Sequence, residues 1–316
     1  MFCSDLYTCD TCKLSYADDF KIFAAIDNLA DCYGLQTRLN KFSDWCVTNR
    51  LELSVEKCTT ISFHRKTSRE VFTFDYSFGN HILERLNVVK DLGVLLDSKL
   101  SFRQHQSAVV DKANRQLGFM FRMAREFDDP LCLRSLYCSL VRSHLEFSAV
   151  IWSPYHQNWI DRIESIQKKF VWYACRKMPW IDPHQLPRYE ARCNLLGIET
   201  LETRRNISKA VFAAKILNSE IDCPNLLNLL NTTIYSRRLR HRSTFFSNTL
   251  TRTDFHLNSP VRSITAAFND VYFLFDFHEP VFKFRSKLRA EYQERTRLQL
   301  LIPRRNNNGA QPVQNR

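Results

Sequence analysis

Along the first hundred residues the apolar positions change their period several times. Leu14 and Tyr16 alternate with Ser15 and Ala17, and Phe20 and Ile22 alternate with Lys21 and Phe23. Two such runs flanking Asp18-Asp19 predict a tight β-hairpin with both carboxylates at its tip. From about Leu29 to Thr48 the spacing lengthens to three and four residues through Cys32, Leu35, Leu39, Phe42 and Trp45. That stripe predicts an amphipathic helix packed on a sheet, capped by Asp27 or Asn28. Gly34 weakens it by up to about 1 kcal/mol relative to alanine. A β-rich run follows from Cys58 to Phe63, then a hairpin around Gly79-Asn80, then a strand from Leu86 to Leu96 that contains Gly93. A glycine inside a strand marks a bulge or a close backbone approach to a ligand.

After residue 100 the helical period takes over. Ser101 to Gln104 has the form of a capping box. The helix it opens carries Val109, Ala113, Leu117, Met120 and Ala124 on one side. Further helices are predicted at Leu131–His144, at Trp159–Tyr173 with Ile160, Ile163, Ile166 and Phe170 inward, and at Leu201–Leu217 after a stop at Gly197. These amphipathic segments predict a bundle. The fold class is therefore α+β: strands and one helix to about residue 100, a helical region over 101–230, a basic C-terminal region over 231–300, and a disordered tail over 301–316.

Charge sharpens the division. The chain carries a net charge of +12. Residues 231–316 hold 15 Lys or Arg against 6 Asp or Glu, so nine of those charges lie there. Arg237, Arg238, Arg240 and Arg242 form the densest cluster, followed by Phe245 and Phe246. Further on, Lys283, Arg285, Lys287 and Arg289 alternate with Phe282, Phe284 and Leu288. Such a balance favours a polyanionic partner, nucleic acid first, and phosphate contacts would weaken steeply with salt. Phe245, Phe246 or Trp180 could stack on bases or fill the core. The eleven cysteines form no regular disulfide framework, which points to reduced thiols in an intracellular, nuclear or cytoplasmic protein. Cys3, Cys9 and Cys12 lack the partners of a zinc site. No apolar run approaches the roughly 20 residues needed to cross a bilayer, so no membrane role is expected.

Adjacent aspartates in a turn suit the local backbone, which is one reading of Asp18-Asp19. The other is a metal site, because Mg²⁺ takes carboxylate oxygens, waters and substrate phosphates. Neighbouring sequence bears on the choice. Tyr16 to Asp19, the run Leu35 to Cys46, Leu51 to Thr59, and Val89 to Val94 resemble, in that order, consecutive motifs of reverse transcriptases of non-LTR retrotransposons, of the jockey-like kind. The resemblance implies the second half of a polymerase palm over 1–100 and a thumb-like bundle over 101–230. It implies that Asp18 is a direct metal ligand and Asp19 a supporting one for two Mg²⁺ ions, and that Lys57 neutralises the leaving pyrophosphate. Tyr16, Leu92 and Gly93 would contact nucleic acid, the last two in a hairpin that grips the primer end. An RNA template, a DNA primer and deoxynucleoside triphosphates would be the partners; the oligomeric state stays open. Two departures stand out: Cys58 where threonine is common, and Ser4-Asp5-Leu6 where Asn-Asp-Leu is usual.

The family's third metal-bridging aspartate lies on an earlier strand, and only seventeen residues precede Asp18. The polypeptide is therefore expected to have little or no polymerase activity by itself. A catalytically dead nucleic-acid-binding remnant and a domesticated interaction protein are the alternatives.

Overall fold

The computed structural model describes residues 13–64, 72–182, 184–230, 246 and 254–301. The chain divides into two compact units, one up to Gln104 and one from His105.

The first unit is built around one helix. α1 (Leu29–Thr48) starts at Asn28, whose side chain accepts from the Asp31 N–H at 3.0 Å. The Asp31 carboxylate in return accepts from the Asn28 N–H at 3.0 Å and the Asp27 N–H at 2.9 Å. This reciprocal cap satisfies backbone donors that a helix start leaves open. Cys32, Leu39, Phe42 and Cys46 are buried, whereas Leu35 and Trp45 lie half-buried at the edges of the stripe. Against this face pack β1 (Lys13–Tyr16) and β2 (Asp19–Ile22) through Phe20 and Ile22, with the Phe20 and Phe42 rings 5.3 Å apart.

The remaining strands are short: β3 (Thr59–Thr60), β4 (Ser77–Phe78), β5 (His81–Ile82), β6 (Glu84–Arg85), β7 (Val88–Asp91) and β8 (Val94–Asp97). Instead of the one antiparallel palm sheet expected, the described residues form four separate two-stranded ladders. β1–β2, β4–β5 and β7–β8 are antiparallel and β3–β6 is parallel. Tight turns close three of the pairs locally. At Gly79 the backbone turns with φ +56°, which glycine adopts at no steric cost. The predicted single strand through Gly93 is two strands folded back on each other. Leu92 (φ +43°) and Gly93 (φ +88°) both take left-handed conformations between Asp91 and Val94, the geometry of a two-residue hairpin turn.

The capping box expected at Ser101 gives way to a different entry. Asp97 accepts from the backbone N–H of Lys99, Ser101 and Phe102 and from the Ser101 hydroxyl. Burial pushes its carboxyl up, but these donors outweigh burial and hold it below the usual carboxylate range. They also fix Leu100 and Phe102, which have φ near +50° and +56°.

The second unit is helical. α2 (Arg103–Met123) buries Val110, Ala113, Leu117 and Met120; Val110 takes the inward position expected of Val109. α3 (Pro130–Tyr137) is capped by Asp129 and runs through a π-helical turn, Cys138–Arg142, into α4 (Ser143–Glu146). After α5 (Ala149–Trp152) comes α6 (Gln157–Arg176), with Ile163, Ile166 and Phe170 fully buried. α7 (Tyr189–Leu195) ends near Gly197 (φ +60°), and α8 (Leu201–Leu217) starts from a Thr200 cap. α9 (Pro224–Leu229) and α10 (Asp254–Leu257) are short.

α11 (Pro260–Asn269) and α12 (Val281–Leu301) pack with α8 around Phe268, Phe284 and Leu288. The alternating basic stretch lies on α12, so its cations spread around a helix. Lys287 pairs with Glu279 and Arg289 with Glu199. Phe246 is fully buried in the same core and exchanges two hydrogen bonds with the Asn269 side chain, so it offers no stacking face. Arg204 binds Glu146 through two nitrogens and Glu199 through a third. Among the described residues no helix is long and apolar enough to cross a membrane.

Candidate functional site

The acidic hairpin pairs Lys13 with Ile22, Leu14 with Lys21, Ser15 with Phe20 and Tyr16 with Asp19. Ala17 and Asp18 make the turn, and Ala17 takes the left-handed conformation at φ +53°. A Cβ-bearing residue there costs roughly 1–2 kcal/mol, a cost met by the packing of the strand that follows. Asp18 therefore sits in the turn itself, and Asp19 opens β2.

The register decides what each side chain faces. Partners across a ladder share a face, and successive residues alternate. Phe20 and Ile22 pack on α1, so Asp19 and Lys21, together with Tyr16 and Leu14, lie on the outer face. Tyr16 is 66% exposed and Leu14 57%, as that placement requires. Asp18 and Asp19 are both exposed. The sequence pattern showed two alternations but not that the apolar residues of the first arm point away from the core.

An ion pair joins this hairpin to the β7–β8 hairpin. Lys21 of β2 pairs with Asp91 of β7 at 2.6 Å, both side chains about a third exposed or less. A pair this accessible contributes roughly 0–1 kcal/mol, but it fixes which faces meet. Asp91 immediately precedes the Leu92-Gly93 turn, and Leu92 is exposed at that tip. The structure thus links the strands that carry Tyr16, Asp18 and Asp19 to those that carry Leu92 and Gly93. Nothing in the sequence signalled the Lys21–Asp91 pair, whose members lie seventy positions apart.

Lys57 closes a 3₁₀ turn, Val55–Lys57, with its backbone N–H donating to the Ser54 carbonyl at 2.9 Å. Its side chain is exposed, and among the described residues no ion pair or hydrogen bond ties it to either hairpin. Arg237, Arg238, Arg240 and Arg242 lie outside the described residues, as does the tail beyond Leu301.

A pair of Mg²⁺ ions needs more negative charge than two carboxylates supply. Asp91 is neutralised by Lys21. No group of three or more His, Cys, Asp or Glu side chains placed to hold a metal occurs among the described residues. The residues present therefore do not fit a complete two-metal centre. What the tip offers is two exposed carboxylates on a turn, with no ion pair among the described residues.

A 117-residue stretch, 37% of this chain, is 28% identical to the RNA-directed DNA polymerase from mobile element jockey of Drosophila melanogaster. That stretch spans 12% of the relative's length. No family model matches the chain, and no solved structure matches it. The likeness supports a reverse-transcriptase-like relation.

Proposed function

We propose that this chain is the C-terminal part of the RNA-directed DNA polymerase of a non-LTR retrotransposon, and that Asp18 and Asp19 are two of the carboxylates that hold its divalent ions. The observation that carries this reading is the exposed carboxylate pair on a turn whose strands are anchored on one side by α1 and on the other by the Lys21–Asp91 pair. The likeness to a mobile-element polymerase supports it. RNA template, DNA primer and deoxynucleoside triphosphates are the partners that follow. Leu92 and Gly93 present a second tip for the primer end, Tyr16 shares the outer face with Asp19, and Arg237, Arg238, Arg240 and Arg242 supply phosphate contacts. Lys57 belongs to the reading only if substrate draws it toward the hairpins.

With two carboxylates the tip holds one divalent ion weakly rather than two. The polypeptide by itself then extends a primer at background level, which leaves room for a second reading, a binding remnant without catalysis. Primer extension on an RNA template with Mg²⁺, comparing the parent chain with Asp18→Asn/Asp19→Asn, tests both. Background extension by the parent is the expected result. Robust extension that needs both aspartates would contradict the two-carboxylate shortage, and extension that survives their loss would remove them from the chemistry.

A further inference from the structure

The second unit buries two cations that no acid of the fold pairs with. On α8, Leu201, Arg205 and Lys209 follow one another at four-residue steps and so share one side of the helix. Arg205 is 3% exposed and Lys209 8%. Arg205 Nη1 and Nη2 are both shielded from solvent and meet no acceptor among the described residues. The Lys209 side chain enters no ion pair or hydrogen bond among them either. An unpaired guanidinium in the interior is among the costliest arrangements a fold can hold, and arginine cannot shed its proton to escape it.

The carboxylates nearby do not relieve it. Burial pushes the Arg205 pKa down, and the charges of Glu164, Glu202 and Glu146 oppose that only in part. Glu146 is engaged by Arg204, and Glu202 is exposed. Glu164, on α6, acts on Arg205 most strongly of the three. It is 6% exposed, and its Oε1 accepts from the Tyr189 hydroxyl and from the Leu201 N–H. Its Oε2 is buried with no donor among the described residues.

Together these groups make a recognition pattern. The guanidinium fork and the ammonium only donate, and the carboxylate oxygen beside them only accepts. An occupant must therefore offer acceptors to Arg205 and Lys209 and a donor to Glu164. Sulfate, fully ionised, supplies acceptors but has no proton for Glu164 and is repelled by it. A phosphate that keeps one proton supplies both, because its P–O oxygens accept and its P–OH donates. Phosphodiesters, the backbone of nucleic acid among them, carry no such proton at neutral pH. Burial of all three side chains restricts the occupant to a small ion.

We infer that Arg205, Lys209 and Glu164 form a buried site for free hydrogen phosphate, the two cations holding its oxygens and Glu164 accepting from its P–OH. Glu164 also binds Tyr189 of α7 and the first residue of α8, so occupancy braces the junction of α6, α7 and α8. Phosphate is then a ligand of the folded chain alone, and the chain reaches full stability only where phosphate is present. The inference stands on the second unit and does not depend on the carboxylate hairpin.

The test is the melting of the full chain at pH 7 in about 10 mM inorganic phosphate, sulfate, diethyl phosphate or glycerol phosphate at matched ionic strength. Phosphate and sulfate both favour folding by exclusion from protein surfaces, so the difference between them reads the site. Inorganic phosphate should raise the melting temperature by about 5 °C more than any of the other three. Lys209→Met should melt above the parent without phosphate, and phosphate should narrow that gap by raising the parent alone. Glu164→Gln, whose amide can donate, should respond to sulfate as strongly as to phosphate. If Glu164→Gln fails to fold, Arg205→Met should lose the phosphate increment. Equal shifts of the parent in phosphate and sulfate overturn the inference. So does a phosphate increment that survives Lys209→Met or Arg205→Met, or a folded Glu164→Gln that still rejects sulfate. A larger shift with glycerol phosphate than with inorganic phosphate overturns the free ion as the occupant.

Discussion

Gln167→Leu should cost the second unit about 3–5 kcal/mol and lower its melting temperature by about 10 °C or more. Gln167 is fully buried on α6 and uses both ends of its amide. Its Oε1 accepts from the Tyr137 hydroxyl at 2.9 Å, and its Nε2 donates to the Tyr189 hydroxyl at 2.9 Å and to the Glu199 carbonyl at 3.0 Å. Glu164, one turn earlier, accepts from Tyr189 and from the Leu201 N–H at the start of α8. Four helices thus converge on one amide and one carboxyl. Leucine keeps most of the volume but strands the Tyr137 hydroxyl and the Glu199 carbonyl in the interior. Each stranded group costs about 1–3 kcal/mol, and the ordering of α7 and α8 is weakened with them. Urea unfolding followed by circular dichroism measures the loss. A change below about 1 kcal/mol would mean that the amide is not the centre of this junction.

Lys209→Met should have the opposite sign. Lys209 is 8% exposed on α8, one turn after the still more deeply buried Arg205. Burial first, and Arg205 second, push its pKa down to about 8, with Glu202 opposing in part. An unfolded lysine titrates near 10.4. Between about pH 8 and 10.4 the unfolded chain therefore binds more protons than the folded one, so this residue's contribution to stability rises with pH across that window. Below about pH 8 the full penalty applies. At 1.36 kcal/mol per pH unit it amounts to about 3 kcal/mol. Lys209→Met should then stabilise the chain by up to about 3 kcal/mol at pH 7 and by almost nothing near pH 10.5. Cys175 and Cys193, whose thiols burial pushes up, titrate with the opposite sense. The measured quantity is accordingly the difference between parent and variant at each pH. A difference that does not shrink as pH rises would contradict the account of Lys209.

Helix limits were legible where period and punctuation agreed. α8 runs over the residues expected of it, because a 3.6-residue apolar pattern follows a Gly197 stop; the Thr200 cap emerged only in the structure. α1 was legible for the same reason. Strands were harder. Alternation says that faces differ but not which one is covered, so the exposure of Leu14 and Tyr16 was not legible from the pattern alone. The Leu92-Gly93 turn lacks the Asn-Gly or Asp-Gly signal of its type and was hidden inside a longer run. Ser101 matched a cap pattern, but its hydroxyl donates to Asp97, whose carboxylate also gathers the backbone N–H groups of Lys99, Ser101 and Phe102. Gln167 counts as polar in any periodicity, so the junction it makes was invisible. For the candidate site, the adjacent carboxylates could be read directly. The Lys21–Asp91 pair that ties up a third carboxylate depends on folding at long range.

Manganese titration of the ¹⁵N-labelled full chain asks most directly whether the acidic tip holds a divalent ion. Paramagnetic Mn²⁺ stands in for Mg²⁺ and broadens amide signals close to where it binds. Weak binding, in about the millimolar range, should broaden the amides of Ala17 to Phe20 first. Asp18→Asn/Asp19→Asn should abolish that selectivity. Broadening centred elsewhere, or unchanged in the double variant, would contradict the assignment of this hairpin as a metal-holding turn.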